Sequence, residues 1–247
     1  MLDQLRQELR KLERPAGLED AGLQPLGIAP IDGALGGGLA RGALHEIAAA
    51  SERHIAAAAG FALGISGVFP NRRTLIWIAE ETALLESGAP CGPGLDEFTL
   101  APERLIVVAV RRERDLCWAM EEALRCREVG TVIAETRRAG IESITLRRLS
   151  LAAAAHGALG ILLRATPARG VSTATTRWTI SAARSQPAHG APGAPRMTAQ
   201  LVRNRRGPLG SWTLEWSETD ERFVIAPTHP QPVARPAPNR PARASAA

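Results

Sequence analysis

The chain has 247 residues, a formal net charge of +5, 45% apolar residues and three cysteines. That supplies one buried core with extensions, and no apolar run reaches the length that crosses a bilayer. Cys91, Cys117 and Cys126 are widely spaced and odd in number, which fits reduced thiols of a cytoplasmic protein better than disulfides or a zinc site. The sequence pI of about 10.3 suggests an acidic partner such as nucleic acid. Thirty basic residues include one lysine, Lys11, the mark of a coding bias, so local clusters weigh more than the total.

Leu2, Leu5, Leu9 and Leu12 recur at helical spacing among charged residues. Residues 1–22 are therefore expected to form an amphipathic helix and a turn-rich linker. Leu5 and Leu9 are candidate anchors for a partner, with packing on the chain's own core as the alternative. Residues 23–225 alternate apolar and helical segments, the pattern of a mainly parallel α/β sheet. Strands are expected at Ala43–Ile47, Thr74–Ala79, Leu105–Val110, Thr131–Ala134 and Leu159–Arg164, with helices at His54–Phe69, Arg114–Arg127 and Ile144–His156. Pro90 to Pro93 reads as a loop, and Trp118 as a packing residue. Arg177 to Ala182 alternates as a strand. Ala199 to Arg206 and Ser211 to Trp216 flank a Gly-Pro-Leu-Gly turn and read as a late antiparallel pair. Trp212, Leu214 and Trp216 fall on one strand face, expected to pack on the core. Residues 226–247 are rich in Pro, Ala and Arg without an acid, a composition expected to stay disordered.

The stretch from Gly36 to Ile65 reads as a turn, a strand, a loop and a helix, the context of a phosphate-binding loop. Such a loop requires glycines for close backbone approach, a lysine for charge and a hydroxyl for magnesium. The corresponding span is AASERHIA: Ala49 and His54 replace the glycines, Ile55 the lysine and Ala56 the hydroxyl. The loop is degenerate, so no cofactor and no catalysis are expected, and no spacing suggests a metal site.

Gly38-Leu39-Ala40-Arg41-Gly42, Glu46-Ile47 and the upstream Ile31-Asp32-Gly33-Ala34-Leu35 resemble the approach to the loop in the RecA recombinase core. Together with the late Trp-Thr-Leu-Glu-Trp, the order of segments resembles the ImuA family, RecA-like accessory proteins of damage-inducible mutagenesis. The resemblance covers roughly Leu23 to Ile225. It implies a RecA-like core without enzymatic activity. It implies partners in an ImuB-like polymerase-related protein and an error-prone DNA polymerase, with DNA, RecA and self-association as further candidates. By the same resemblance Glu135 ends the strand where a Walker B acid falls, and Glu81 stands where RecA-like ATPases keep a water-activating glutamate. Arg164 and Arg169 flank the loop that contacts DNA in RecA. Arg203, Arg205 and Arg206 form the best local basic cluster, a candidate grip on phosphate or an acidic partner. An ATP-dependent recombinase and a cell-division inhibitor are the competing classes.

Overall fold

A computed structural model describes residues 22–69, 74–137, 140–168, 170–185 and 193–227. Leu5, Leu9, Arg169 and the proline-rich segment beyond residue 227 lie outside the described residues.

Two short strands, β1 (Leu23–Gln24) and β2 (Leu39–Ala40), pair with each other, with helix α1 (Ala29–Ala34) between them. The α1 start is fixed by Pro30 in its first turn and by Asp32. That carboxylate accepts from the amides of Leu26 and Ile28 at 2.7 and 3.1 Å, so the approach segment is tied down by one side chain. The main sheet follows: β3 (Ala43–Ala49), β4 (Thr74–Glu80), β5 (Leu105–Val110), β6 (Val129–Thr136), β7 (Leu159–Arg164), β8 (Thr176–Ala182), β9 (Arg196–Asn204), β10 (Gly210–Ser217) and β11 (Arg222–Ile225). Their spatial order is β11-β10-β9-β8-β3-β7-β6-β4-β5. The run from β8 to β5 is parallel, and β9 to β11 add an antiparallel meander. Strands β3, β6 and β7 are buried along their whole length. That explains why they read as largely apolar runs rather than alternating ones, with His45 and Glu46 interrupting β3.

Helix α2 (Ile55–Gly67) covers one face. The helices α5 (Glu113–Leu124) and α6 (Ser143–His156) cover the other. Two short helices, α3 (Glu81–Ser87) and α4 (Gly92–Asp96), follow β4. The segment from Pro90 to Pro93, expected as a loop, thus ends inside a helix, because Pro93 occupies the first turn, where its missing N–H costs nothing.

The meander is attached to α2 by aromatic rings. Phe61 lies 5.4 Å from Trp178 and 5.7 Å from Phe223, and Phe98 lies 4.8 Å from Trp216 between centroids. Gly64 makes this approach possible, since a Cβ there would meet the Phe223 ring at 2.4 Å. Leu214 and Trp216 are buried and Trp212 packs against the same cluster, as the alternation of β10 predicted. Trp118 does not pack: it is 64% exposed on the outer side of α5. Leu116, Met120 and Leu124 take the inner stripe of that helix, which leaves the Trp118 position facing water.

Candidate functional site

In parallel α/β sheets, ligands gather where the strands end at their carboxyl edge. Here β3, β4, β6 and β7 deliver Ala49, Glu80, Thr136 and Arg164 to that edge. The turn after β3 is a short 3-10 segment, Glu52–His54, running into α2. Its amides are already engaged. Ala50 N–H donates to Ile180 O at 2.7 Å, His54 N–H to Ser51 O at 2.8 Å, and Ile55 N–H to Glu52 O. The His54 ring closes the turn, its Nδ1 accepting from the Ala182 amide at 3.2 Å. With Cβ atoms at Ala49 and His54, the chain tightens on itself instead of opening a nest of N–H groups. Ile55 and Ala56 project from the first turn of α2 into a cleft of about 380 Å³.

Glu135 lines the same cleft from the strand side, 4% exposed. Its Oε2 accepts from Trp77 Nε1 at 3.2 Å. Oε1 has no hydrogen bond, and Arg137 Nη2 lies 3.4 Å away. Burial pushes the Glu135 carboxyl above its ordinary value of 4.5, against the pull of Arg137 and Trp77. Arg137 itself is drawn toward the rim, with Nε 3.3 Å from Glu86 and Nη2 donating to Ser87 Oγ.

Glu81, the other acid expected here, is elsewhere. It starts α3, half exposed, and pairs with Arg111 at 3.3 Å beyond the end of β5. The acid that β4 buries is Glu80, which accepts from Thr136 Oγ1 at 2.9 Å on the opposite face of the sheet. A strand alternates its side chains, so a one-residue difference in position selects the other face.

On that opposite face lies a second charged cluster. Glu46, 1% exposed at the centre of β3, accepts from Arg177 Nε at 2.9 Å and from Ser172 Oγ, and Arg164 Nε lies 3.8 Å away. Arg164 is 2% exposed. The DNA contact expected of it is therefore corrected: its guanidinium is held inside by Glu46, because only a paired cation is tolerated there. Burial also pushes the neighbouring Cys117 thiol up to about 11, with Glu113 adding to the shift.

The arginine cluster sits at the β9–β10 turn. Asn204 pins this turn to α1, its Nδ2 donating to Ala34 O at 2.8 Å and to Pro208 O at 3.0 Å. Arg205 is exposed, while Arg203 and Arg206 are half-buried. Arg205 shares a cleft of about 420 Å³ with Arg147, Ser150 and Thr173, a basic, hydroxyl-lined surface. Sequence reasoning did not bring Arg147 to this turn, and it missed Glu46, Ser172 and Arg177 as one cluster. The signal for the latter was a glutamate inside an apolar strand. Among the described residues, no group of three or more His, Cys, Asp or Glu side chains could hold a metal ion. None of their helices is long and apolar enough to cross a membrane.

No protein-family model matches the chain, and no curated protein does. Among solved structures, the crystal structure of the RadB recombinase aligns with a TM-score of 0.55 and 16% identity, over 83% of this chain and 100% of that one. The fold is RecA-like. The parallel sheet, its flanking helices and the late antiparallel strands all belong to this RecA-like architecture, as the order of segments led us to expect. At such low identity the likeness carries the fold and no residue role.

Proposed function

We propose that this chain is a non-catalytic RecA-like accessory protein. In this reading it is an adaptor of ImuA type that supports error-prone translesion synthesis in the damage response. Its partners are an ImuB-like polymerase-related protein and an error-prone DNA polymerase, in the cytoplasm. The observation that carries the reading is the turn between β3 and α2. Its amides at Ala50, His54 and Ile55 are engaged within the protein. Ile55 and Ala56 occupy the positions that would need a lysine and a hydroxyl. A scaffold that keeps its shell but lacks a phosphate cradle serves through its surfaces.

One described surface and one sequence segment are proposed for that role. Arg203, Arg205 and Arg206, with Arg147 across the cleft, offer cations to DNA or an acidic partner. Leu5 and Leu9, outside the described residues, are proposed from their spacing in the sequence as apolar anchors, which dominate interface energy where charges on a rim contribute less. The test is capture of partners by the full chain from damage-treated cells. The polymerase-related protein is expected to co-purify, and to be lost with Leu5→Asp plus Leu9→Asp. Capture of no polymerase-related protein overturns the adaptor reading. Replacing Arg203, Arg205 and Arg206 by Ala should lower the salt slope of DNA binding; an unchanged slope removes DNA from the proposal.

A second reading, an ATP-dependent recombinase, rests on the RecA-like fold and on the buried acid at the end of β6. ATP turnover above background, abolished by Glu135→Gln, would establish it in place of the first.

A further inference from the structure

The cleft between α2 and the α3–α4 connection has a chemistry of its own. One wall is Ile55, Ala59 and Leu63 of α2, and the other includes Pro90, Leu95 and Phe98. At its inner end stand Trp77, 2% exposed, and Glu135, 4% exposed. Its volume, about 380 Å³, lies in the range of small-molecule sites. Apolar walls with one buried polar group at the inner end select a ligand whose inserted part is mostly apolar and carries one complementary group. The polar group here is incomplete: Glu135 Oε2 is occupied by the Trp77 N–H, whereas Oε1 accepts no hydrogen bond. Arg137 reaches Oε1 only as an ion-pair contact at 3.4 Å, so a ligand that supplies a hydrogen-bond donor completes the buried acceptor.

Charge narrows the class further. Glu97 also lines the cleft, and Glu52 and Glu86 border the adjoining pocket that shares Ile55 and Ser87 with it. Among the described residues that line the two pockets, Arg137 is the one cation, and it is engaged with Glu86, Ser87 and Glu135. Among the described residues of the two pockets, an anionic ligand would meet carboxylates and a cation that is already engaged.

We propose that this cleft binds a flat apolar ring carrying a single N–H or O–H donor and no negative charge, with Glu135 Oε1 as the acceptor and the α2 wall as the apolar bed. The assignment is independent of the adaptor role: it concerns what occupies the cleft, and it survives whichever partner the protein meets.

Indole serves as the probe, titrated by calorimetry into the full chain beside 1-methylindole and indole-3-acetate. Indole should bind saturably, 1-methylindole at least about tenfold more weakly because its donor is removed, and indole-3-acetate not at all. Glu135→Leu should erase the preference for indole over 1-methylindole, and Ala59→Phe should fill the cleft and abolish binding. Equal affinity for the two indoles, preference for the acetate, or full binding by a folded Ala59→Phe variant would overturn the proposal. A second readout does not depend on those variants. Cys91 is exposed and lines the cleft, so in Cys126→Ser protein saturating indole should slow maleimide labelling of Cys91 severalfold. An unchanged rate overturns the assignment. A blocked Gly-Trp-Gly peptide separates two sources of the same chemistry: tighter binding than indole assigns the ring to a protein segment, and weaker binding assigns it to a free small molecule.

Discussion

The sheet buries a carboxylate on each face, and the two have been treated differently. Glu46, toward α5 and α6, is met by Arg177, Ser172 and Arg164. Glu135, toward α2, is met by one indole N–H and by the Arg137 guanidinium at 3.4 Å, an ion-pair contact that leaves Oε1 without a hydrogen bond. Both are almost wholly buried. Burial therefore does not separate a structural acid from an available one; completion of the hydrogen bonding does. The completed cluster joins β3, β7 and β8 side by side. The incomplete one opens on a cleft where the phosphate loop of a RecA-like protein would begin.

Removing the completed acid tests the comparison most severely. Glu46→Ala removes the buried carboxylate that meets both Arg177 and Arg164, and should cost about 3–5 kcal/mol in urea unfolding. A loss below about 1 kcal/mol would mean that the cluster is not what holds these strands.

The α2 face contains a second buried titratable group, His45. Trp178 Nε1 donates to Thr176 Oγ1 at 2.9 Å, Thr176 meets His45 Nδ1 at 2.7 Å, and His45 Nε2 reaches Ala40 O at 2.9 Å. A carbonyl can only accept, so Nε2 carries the proton and the ring is neutral. Burial lowers its pKa from 6.5 to about 4. The stability it contributes is complete above pH 6.5 and is lost as pH falls toward about 4, a change of about 3 kcal/mol. Unfolding measured across that window should show the loss in the natural chain and not in His45→Gln. Parallel curves would place the acid sensitivity elsewhere.

The smallest effect is expected at the incomplete acid. Glu135→Gln should remain within about 1 kcal/mol of the natural chain near neutral pH, because little is broken. The folded pKa of Glu135 is raised, so the natural chain loses stability as pH rises above 4.5, and the variant should gain on it over that interval. A large loss on making the variant would class Glu135 with Glu46 and dissolve the contrast.

Much of the RecA-like layout is legible in the sequence because parallel strands buried on both faces give unbroken apolar runs, as β7 does up to Arg164. The meander is legible for the opposite reason: Trp212, Leu214 and Trp216 alternate with outward residues. Short elements escaped. Helix α1 is six residues long and is held by Asp32 reaching back to Leu26 and Ile28; α3 follows β4 without a break. Neither has room for a periodic signal. The degenerate turn at Ala49–Ala56 was readable from residue types alone. The cleft beside it was not, since Trp77, Phe98 and Glu135 meet there only after the sheet forms. Arg164 misled for the same reason: its pairing with Glu46 crosses more than half the core, and sequence offers no trace of a contact at that range.

Strand β3 is the centre of the sheet, yet both of its neighbours come from far along the chain. Residues 45 and 176 touch across a separation of 131 positions, as do 46 and 177. During synthesis β3 must therefore wait, with its backbone groups unpaired, until β7 and β8 have left the ribosome. At about 5–20 residues per second, that is a delay of several seconds in which an apolar strand is open to wrong pairings. The glutamate and histidine in its middle are polar interruptions in an otherwise sticky segment, so the residues that lock the finished sheet also guard the unfinished one.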